Sequence, residues 1–362
     1  MDYQKIGTRI LDIPPSSGNP RNSEGAFVTL NDGRILFIYS KFVGNSDRDH
    51  AETHLMKILS SDGGNTWTAP ECIFTSEQHG ALNIMSVSLM RMRNGDVGLF
   101  YLVRKSFWDM RPVLRRSADE GETWSEPVIC SPRMGYFVLN NDRATRLSDG
   151  RIVLPVAEHH FPLTDGKEMP HISRAATTFF YSSDDGHTWS ESAEMVTLSG
   201  VRSWTGLQEP GIVERRNGVL WGHARTDLGR HYEFFSMNGG NNWTPPAPSR
   251  FTGPWSPLCI KRMPDEKLFA VWNPVPDYET RQVMPNTQGR TPLVCATSSD
   301  DGLSWSRAKI IEDDPCSGFC YTAIHFTDDG ILLAYCAGHG TKDGNNLNRL
   351  RITKLGYGEI DE

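Results

Sequence analysis

Apolar and polar residues follow a pattern that recurs six times along the chain. Each copy has a run of alternating apolar and polar residues, a polar turn such as Asn31-Asp32-Gly33, and then a nearly continuous apolar run. Alternation with a period of two predicts a half-buried strand, and a short continuous apolar run predicts a buried one. Each copy is therefore predicted to be a β-hairpin. The six predicted hairpins are residues 24–39, 86–101, 141–156, 209–224, 257–272 and 321–336.

A second repeat, which ends in tryptophan, lies between the hairpins. Its pattern is Ser-x-Asp-x-Gly-x-Thr-Trp, with Asn238 at the aspartate position of a degenerate fourth copy, and its tryptophans are 57, 65, 54 and 62 residues apart. The aspartate can accept hydrogen bonds from backbone N–H groups, glycine permits a positive φ, and tryptophan packs the turn onto the unit beneath. The five copies are residues 60–67, 117–124, 182–189, 236–243 and 298–305.

Together the two repeats predict an all-β chain. A length of 362 residues alone would favour two domains, but no boundary interrupts the six hairpins, and no long segment has the period of an amphipathic helix. Six four-stranded antiparallel units that bury their faces against one another predict a six-bladed β-propeller, a single domain over residues 1–362. The sixth tryptophan turn is missing where the ring closes, so residues 5–10 and 350–355 are expected to complete one blade together.

The charge balance argues against a polyanionic partner. The chain has 37 Lys and Arg against 44 Asp and Glu, a net charge of −7, and no basic run, so binding of nucleic acid or an anionic membrane is not expected. No segment approaches the roughly 20 apolar residues of a membrane span. The start lacks a signal-peptide pattern. The sequence as it stands predicts a cytoplasmic protein, or a periplasmic or secreted one if a signal has been trimmed.

The cysteines do not predict a disulfide framework, because there are seven of them scattered along the chain. One close pair, Cys316 and Cys320, has no second pair at metal-ligand spacing. There is also no glycine-rich phosphate loop and no Ser-His-Asp arrangement. Neither a metal nor a cofactor is therefore expected.

The inner strand of each propeller blade lines the central channel, so a ligand meets the residue that begins it. When the six hairpins are aligned on their turns, one residue from each falls at this level. Most of them are polar or ionisable, which predicts a ligand site at this rim. The aligned residues are Glu24, Ser86, Asn141, Glu209, Pro257 and Tyr321.

The tryptophan turn resembles the Asp-box, or BNR repeat, and the whole chain is similar to the sialidase superfamily. This resemblance implies an exo-glycoside hydrolase that removes a terminal acidic sugar, sialic acid or a relative, with retention of configuration. It implies Tyr321 as nucleophile and Glu209, in Gln208-Glu209-Pro210, as the partner that activates it. A neutral phenol avoids the repulsion that an anionic nucleophile would meet beside the carboxylate of a sialic acid.

The resemblance also implies arginines that hold the substrate carboxylate, since a guanidinium matches a carboxylate bidentately. Arg225, after the fourth hairpin, and Arg290, before the outer strands of the fifth unit, stand at matching places. Where the family has a further arginine, this chain has Glu24. Arg21, three residues upstream, or Arg143, from the third unit, would have to replace it. Because an unpaired, ionised glutamate would repel a substrate carboxylate, Glu24 leaves the identity of the sugar open.

The family's acid/base is an aspartate in the loop after the first hairpin. This loop carries Asp47 and Asp49 here. Either fits, and Asp49 is favoured because it lies closer to the returning strand. Its implied role is to protonate the leaving glycosidic oxygen and then to deprotonate the attacking water.

Further residues are candidates for sugar contact. Arg104 and Arg111 flank an aromatic insertion with Trp108, which predicts either a stacking wall or a loop packed on its own blade. Trp204 and Trp255 stand just before rim residues.

Two adjacent histidines, His159 and His160, follow the third hairpin. They point to opposite faces of an extended chain, so joint metal ligation is not expected. One of them is expected to face the substrate or to be structural.

Two other functions remain open on the same fold. One is a lyase or hydrolase of uronate-containing polysaccharides, in which Glu24, His159 or His160 and the arginines do the work. The other is a noncatalytic propeller that binds glycan or protein through the same rim. A glycan or oligosaccharide is the expected partner for the enzymes, and the sequence leaves the oligomeric state open.

Overall fold

The computed structural model describes residues 5–160, 174–276 and 282–360. Within these ranges the regular elements are strands, apart from a 3₁₀-helix at Glu77–His79 and one helical turn, α1, at Tyr357–Ile360. The chain is therefore all-β, as predicted. The strands are β1 (Thr8–Ile13), β2 (Asn22–Thr29), β3 (Ile35–Phe42), β4 (Thr53–Ser60), β5 (Glu71–Thr75), β6 (Asn83–Arg91), β7 (Val97–Arg104), β8 (Met110–Ser117), β9 (Val128–Ile129), β10 (Tyr136–Val138), β11 (Thr145–Arg146), β12 (Ile152–His159), β13 (Ala175–Ser182), β14 (Ser190–Glu191), β15 (Gln208–Glu214), β16 (Leu220–Arg225), β17 (Arg230–Ser236), β18 (Ala247–Thr252), β19 (Cys259–Arg262), β20 (Leu268–Trp272), β21 (Leu293–Ser298), β22 (Lys309–Glu312), β23 (Cys320–Thr327), β24 (Gly330–Cys336) and β25 (Leu350–Leu355).

All six predicted hairpins are confirmed as antiparallel strand pairs. They are β2–β3, β6–β7, β11–β12, β15–β16, β19–β20 and β23–β24. The first strand of each pair is the inner strand. The third inner strand, β11, has only two residues, fewer than the inner strand of any other hairpin.

The strands assemble into five sheets. Four of these have four antiparallel strands, in the orders β2-β3-β4-β5, β15-β16-β17-β18, β19-β20-β21-β22 and β1-β25-β24-β23. The fifth sheet has nine strands, β6 to β14. Its two halves, β6–β9 and β10–β14, join where Tyr136 of β10 pairs in parallel with Met110 of β8.

The two ends of the described chain meet in one sheet. β1 pairs antiparallel with β25, with Thr8 opposite Lys354 and Ile13 opposite Leu350. This confirms the predicted pairing, although the N-terminal strand lies three residues later than expected. Apolar clusters fill the spaces between successive sheets, and one of them joins β2–β4 to β23–β25. The sheets therefore close into a propeller-like ring.

In the tryptophan turns the aspartate accepts backbone hydrogen bonds as predicted, and side-chain hydroxyls make further hydrogen bonds that were not predicted. In the first turn, Ser60 Oγ accepts from the Gly64 N–H at 2.8 Å, and Asp62 accepts from the backbone and the hydroxyl of Thr66 at 2.8 and 2.6 Å. Two of these bonds recur in the turns of residues 117–124, 182–189 and 298–305. In each turn the serine hydroxyl accepts from the glycine N–H, and the aspartate accepts from the backbone N–H of the residue before tryptophan. These hydrogen bonds lower the pKa of Asp62, Asp119 and Asp300 to about 2.

The glycine of each tryptophan turn lies against the preceding sheet. Gly186 has φ +93°, and a Cβ there would lie 2.5 Å from Cδ2 of Leu114 in β8. Gly64 makes the equivalent contact across the ring closure, where a Cβ would lie 2.6 Å from Cδ1 of Leu332 in β24. Glycine is required because the conformation and the close approach both exclude a side chain.

The residue before this glycine links two neighbouring sheets wherever it is acidic. Asp185 accepts from the backbone N–H of Arg93, in the preceding hairpin turn, at 3.0 Å and from Arg146 Nη2 at 2.8 Å. The same pair of contacts recurs at Asp301 with Arg216 and Arg262, and at Glu120 with Asn31 and Arg91. The tryptophan turns and the hairpin turns therefore form one end of the ring.

Candidate functional site

A cavity of about 230 Å³ opens at the other end, where the inner strands begin. Four residues at the predicted rim positions line it: Glu24 of β2, Ser86 of β6, Glu209 of β15 and Tyr321 of β23. The ring thus brings together residues that are up to 297 positions apart in sequence, from 24 to 321. Other predicted site residues that line the cavity are Asp49, Arg104, Arg225, Arg290, His159 and Trp255.

The backbone at these four rim positions departs from a regular strand. φ is +55° at Glu24, +61° at Ser86, +46° at Glu209 and +58° at Tyr321, and the pairing register shifts at each one. A left-handed conformation costs a non-glycine residue roughly 1–2 kcal/mol, and such strain concentrates at ligand sites. Because a bulge re-aims the side chain, all four side chains face the cavity.

The third and fifth inner strands differ from this pattern. In the third, the positive φ falls on Asp142 instead of the predicted Asn141, and neither residue lines the cavity. Asn141 donates to the carbonyl oxygens of Gly25 and Tyr321 at 2.9 and 3.1 Å, and it supports the site without lining the cavity. Pro257 does not line the cavity either, since the proline ring excludes a positive φ.

Tyr321 and Glu209 are in direct contact. Tyr321 Oη donates to Glu209 Oε1 at 2.8 Å, while Arg225 Nη1 lies 2.8 Å from Glu209 Oε2 and 3.2 Å from Tyr321 Oη. Burial and Glu209 raise the pKa of Tyr321 above its ordinary value, although Arg225 and Arg290 oppose this shift. The phenol is therefore neutral, and its proton lies on the bond to Glu209.

Arg225 is fixed from several sides. Its Nη2 donates to Gln208 Oε1 at 2.8 Å, and its guanidinium lies 4.9 Å from the ring centroid of Trp255. Trp255 Nε1 donates to the same Gln208 oxygen at 2.8 Å. Gln208 was missed by the sequence analysis, although its position beside Glu209 was the available signal.

Arg290 lies beside the nucleophile candidate. Two of its nitrogens donate to the Trp255 carbonyl oxygen at 3.1 and 2.9 Å, and Nη1 donates to Cys320 Sγ at 3.1 Å. Its guanidinium lies 5.4 Å from the Tyr321 ring centroid. Burial would raise the pKa of the Cys320 thiol, but contacts with Cys336 and Arg290 lower it below the ordinary value.

Arg21 folds back towards the site, as expected if it replaces the missing arginine of the family. Its guanidinium, however, pairs with two carboxylates of the protein. Its Nη2 lies 2.6 Å from Glu24 Oε1 and its Nη1 lies 2.6 Å from Asp49 Oδ1. Arg21 is only 1% exposed and does not line the cavity. Its charge is therefore satisfied inside the protein.

Glu24 is held in a fixed position by this ion pair and by Ser86, whose hydroxyl donates to Glu24 Oε2 at 2.6 Å. Burial raises the pKa of Glu24, and Asp49 and Glu209 raise it further, against the effect of Arg21 and Ser86. The Glu24 carboxyl group is thus paired with a cation. It therefore does not repel an acidic ligand in the way that an unpaired, ionised glutamate would.

The two acid/base candidates differ in position. Asp49 lines the cavity with a side chain that is 60% exposed. Asp47 does not line it, and its carboxylate accepts from Asn348 Nδ2 at 3.1 Å. Desolvation acts to raise the pKa of Asp49, but Arg21 and Arg104 outweigh it and lower the pKa below its ordinary value.

Arg104 stands on another wall of the cavity, at the end of β7. Its side chain donates to the phenol of Tyr136 by a short hydrogen bond and to Met110 Sδ at 3.4 Å. Tyr136 also packs edge to face against His159, with the ring centroids 5.9 Å apart. Tyr136 and Met110 were missed because they belong to strands outside the repeated hairpins and have no aligned counterpart.

Several predicted contacts lie elsewhere. Arg143 is buried and donates to the Leu258 carbonyl oxygen at 2.6 Å, so it does not replace the missing arginine. Trp204 is 73% exposed and does not line the cavity. Its backbone N–H donates to Asp227, which also accepts from Ser203 and Thr205, and this holds the loop with the indole in solvent.

The predicted aromatic wall is not part of the cavity. Trp108 is exposed and lies outside the lining residues, and Arg111 makes a bidentate pair with Asp109 on its own sheet. Of the two histidines, His159 lines the cavity whereas His160 is exposed and lies outside it. This agrees with the expectation that they face in opposite directions.

The described ranges, which leave out residues 1–4, 161–173, 277–281 and 361–362, contain no group of three metal-ligating side chains. Among the helices of the same ranges, none is long and apolar enough to cross a membrane.

Comparison with known proteins links this geometry to a family. The model of the BNR repeat-like domain matches residues 38–333. A sialidase of Bacteroides fragilis (strain YCH46) is 24% identical over 355 residues, which cover 87% of this chain and 60% of that protein. The chain therefore spans 60% of the length of this relative.

Solved structures share the fold. A protein of unknown function from Dyadobacter fermentans DSM 18053 superposes with a TM-score of 0.70 at 18% identity, over 96% of this chain and 99% of its own. The NanB sialidase of Streptococcus pneumoniae superposes with a TM-score of 0.69 at 13% identity, over 99% of this chain and 72% of its own. The repeat, the ring and these matches lead to one conclusion: the chain belongs to the BNR repeat-like domain family, within the sialidase superfamily.

Proposed function

We propose that the protein is an exo-glycoside hydrolase of the sialidase type, which removes a terminal acidic sugar, sialic acid or a relative, from a glycan with retention of configuration. The observation that carries the proposal is the 2.8 Å hydrogen bond from Tyr321 Oη to Glu209 Oε1 inside a cavity lined by arginines. We also take the halves of the nine-stranded sheet as two blades, which gives a six-bladed propeller that forms one domain over residues 1–362.

In the first step, Tyr321 Oη attacks the anomeric carbon and Glu209 accepts the phenol proton. A base is needed because the pKa of Tyr321 is raised, so the phenol does not ionise unaided near neutral pH. Arg225 contacts both groups and stabilises the negative charge that develops on the phenol oxygen. A covalent tyrosyl–sugar intermediate results, and the glycosidic bond breaks.

Asp49 is the acid/base of this scheme. Its exposed carboxyl group at the cavity suits proton transfer to a leaving group that continues into solvent. In the first step it gives a proton to the glycosidic oxygen, and in the second it takes one from the water that attacks the anomeric carbon, while Glu209 returns its proton to Tyr321 as the tyrosyl–sugar bond breaks. Arg225 and Arg290, on the Tyr321 side of the cavity, hold the carboxylate next to the reacting carbon.

The test is release of the terminal sugar from sialosides and from other acidic glycosides by the wild type and by Tyr321→Phe. We expect wild-type turnover and a loss of at least about a thousandfold in the variant, because the nucleophilic oxygen is gone. Tyr357→Phe is the matched control, since its hydroxyl contacts the Thr327 carbonyl oxygen away from the cavity. Equal rates for wild type and Tyr321→Phe would rule out Tyr321 as nucleophile.

A lyase acting on uronate-containing glycans is the second candidate, and the wall formed by Arg104, Tyr136 and His159 favours it. A lyase needs a base near the carbon next to the carboxylate and a group that neutralises that carboxylate, and such residues are together here. New ultraviolet absorbance from an unsaturated uronate would identify this reaction. Binding of glycans without turnover of any of them would instead favour the noncatalytic alternative.

A further inference from the structure

The four arginines in and behind the cavity differ in the ion pairs and hydrogen bonds that they already make within the protein. Arg21 is paired with Glu24 and Asp49, and Arg225 is paired with Glu209. Arg290 donates three hydrogen bonds, to a backbone carbonyl and a thiol. Arg104 is the remaining one.

Arg104 is 6% exposed and lines the cavity. Of its five side-chain N–H groups, one on Nε donates to Met110 Sδ and one on Nη2 donates to the phenol of Tyr136. Both acceptors are uncharged, and a thioether is a weak one. Within the described part of the chain, Arg104 forms no ion pair, and both N–H groups of its Nη1 have no acceptor.

Burying a guanidinium in this way is unfavourable unless an anion compensates it. Asp49 lines the cavity with Arg104, which helps to lower the pKa of this carboxyl group, but its Oδ1 is bound to Arg21 at 2.6 Å. The guanidinium is also fixed in orientation, because it lies 5.2 Å from the ring centroid of Tyr136. A fixed, buried guanidinium that forms no ion pair and lies at a cavity wall is suited to bind an anion bidentately.

The position of Arg104 separates it from the other arginines of the cavity. It ends β7, in the β6–β9 half of the nine-stranded sheet, whereas Arg225 ends β16 and Arg290 precedes β21. The sheet of Tyr321 is not adjacent to β6–β9 either, because the β2–β5 sheet lies between them. An anion bound to Arg104 therefore lies against a different wall of the cavity from an anion held by Arg225 and Arg290.

We propose that Arg104 binds a second acidic group of the ligand, a carboxylate or a sulfate ester, and makes the cavity specific for sugars that carry it. This inference rests on the proposed function in taking the ligand to be a sugar whose first acidic group is held by Arg225 and Arg290. It makes Arg104 a specificity-determining residue, which contacts the ligand in the ground state and the transition state alike.

The direct test is NMR of the wild-type protein with isotope-labelled arginine side chains, in which the Arg104 signal is assigned by its loss in Arg104→Lys. The probes are D-galacturonate for a carboxylate, D-galactose 6-sulfate for a sulfate ester, and D-galactose as the neutral control. We expect one or both acids to shift the Arg104 signal and galactose to leave it in place. The acid that gives the larger shift identifies the group. An Arg104 signal that neither acid moves would overturn the proposal.

The kinetic test uses Arg104→Gln with Arg111→Gln as the matched control, because Arg111 lies on the same sheet but outside the cavity. For an acidic substrate that the wild type turns over, Arg104→Gln is expected to raise KM about 10- to 100-fold, since binding is lost equally in both states. Because Arg104 also lowers the pKa of Asp49, kcat is compared at the pH optimum of each variant, where it should change less than about threefold. Arg104→Lys, which keeps the charge, should recover part of this loss. A fall in kcat at unchanged KM would contradict the role.

The outcomes separate this inference from the proposed function. If Tyr321→Phe is as active as the wild type but the acids shift the Arg104 signal, only the proposed mechanism fails. If Tyr321→Phe is inactive and the Arg104 signal does not move, only the role of Arg104 fails.

Discussion

At one end of the ring, the tryptophan turns repeat nearly the same hydrogen bonds from sheet to sheet, whereas at the other end four bulges of similar backbone shape carry four different side chains. The turn end uses serine, aspartate and glycine at fixed positions. The cavity end places Glu24, Ser86, Glu209 and Tyr321 at equivalent positions. Repetition thus maintains the packing between sheets, while divergence at one backbone position per sheet supplies the chemistry. Changes at the two ends should therefore separate stability from activity.

The largest effect is expected at the cavity end, from Glu209→Gln. The amide cannot accept the Tyr321 proton, so activity should fall on the order of a thousandfold, or about 4 kcal/mol of transition-state stabilisation. The amide keeps the shape of the side chain, and the melting temperature should change by only a few degrees. Initial rates and thermal unfolding of the same preparations check this. A variant that loses stability and activity in proportion would show that Glu209 is a packing residue.

A large effect on stability is expected at the turn end, from Gly186→Ala. The positive φ and the contact of 2.5 Å with Leu114 together predict a loss of about 3 kcal/mol in the free energy of unfolding. Gly33→Ala is the matched control, because it has φ +85° but no atom within 4 Å of its Cβ. It should lose only about 1 kcal/mol. Denaturant unfolding measures both, and equal losses would mean that the contact between sheets contributes nothing.

A third prediction concerns Asp49 and sharpens the assignment within the cavity. Asp49→Asn should slow glycosides with poor leaving groups by about 100-fold or more, because these need a proton on the departing oxygen. Aryl glycosides with acidic leaving groups should be slowed much less in the first step. Because Arg21 and Arg104 hold the pKa of Asp49 below its ordinary value, the free enzyme gains the acid form only as the pH falls. Wild-type rates with poor leaving groups should therefore rise on acidification, a dependence that Asp49→Asn should lack.

The smallest effect is expected from single charges in the tryptophan turns. Asp119 has a pKa of about 2, lowered from 3.8 mainly by hydrogen bonds from Thr123. A carboxyl with a lowered pKa in the folded state stabilises it above pH 3.8, and this contribution disappears as the pH falls towards 2. The melting temperature of Asp119→Asn should therefore depend less on pH in this window than that of the wild type. Parallel curves would show that the hydrogen bonds of the turn do not depend on the charge.

The hairpins and turns were predictable from sequence because their signals are local. Alternation and turn residues fix each hairpin, and a serine, an aspartate and a glycine at constant spacing fix each tryptophan turn. The cavity depends on where six distant segments meet, and only the repeat made this accessible, since aligning the hairpins placed Glu24, Ser86, Glu209 and Tyr321 at one level.

The same alignment was wrong where the local backbone departs from the repeat. A constant offset from the turn predicted Asn141, but the short third inner strand moves the positive φ to Asp142. Trp204 is close in sequence to Glu209, yet Asp227 holds its loop so that the indole is exposed. Tyr136 was missed because β10 lies outside the repeats, and no sequence signal ties it to Arg104.

The pairing of β1 with β25 has a consequence for how the chain folds. Thr8 and Lys354 are neighbours in one sheet, so this contact closes a loop of nearly the whole chain, and its entropic cost must be met before the sheet forms. During synthesis, β1 has no partner until β25 has emerged, and the first and last sheets expose the apolar surfaces that later join them. Assembly of the ring should therefore be slow and concerted in its last step, and chains stopped before residue 350 should be prone to aggregation.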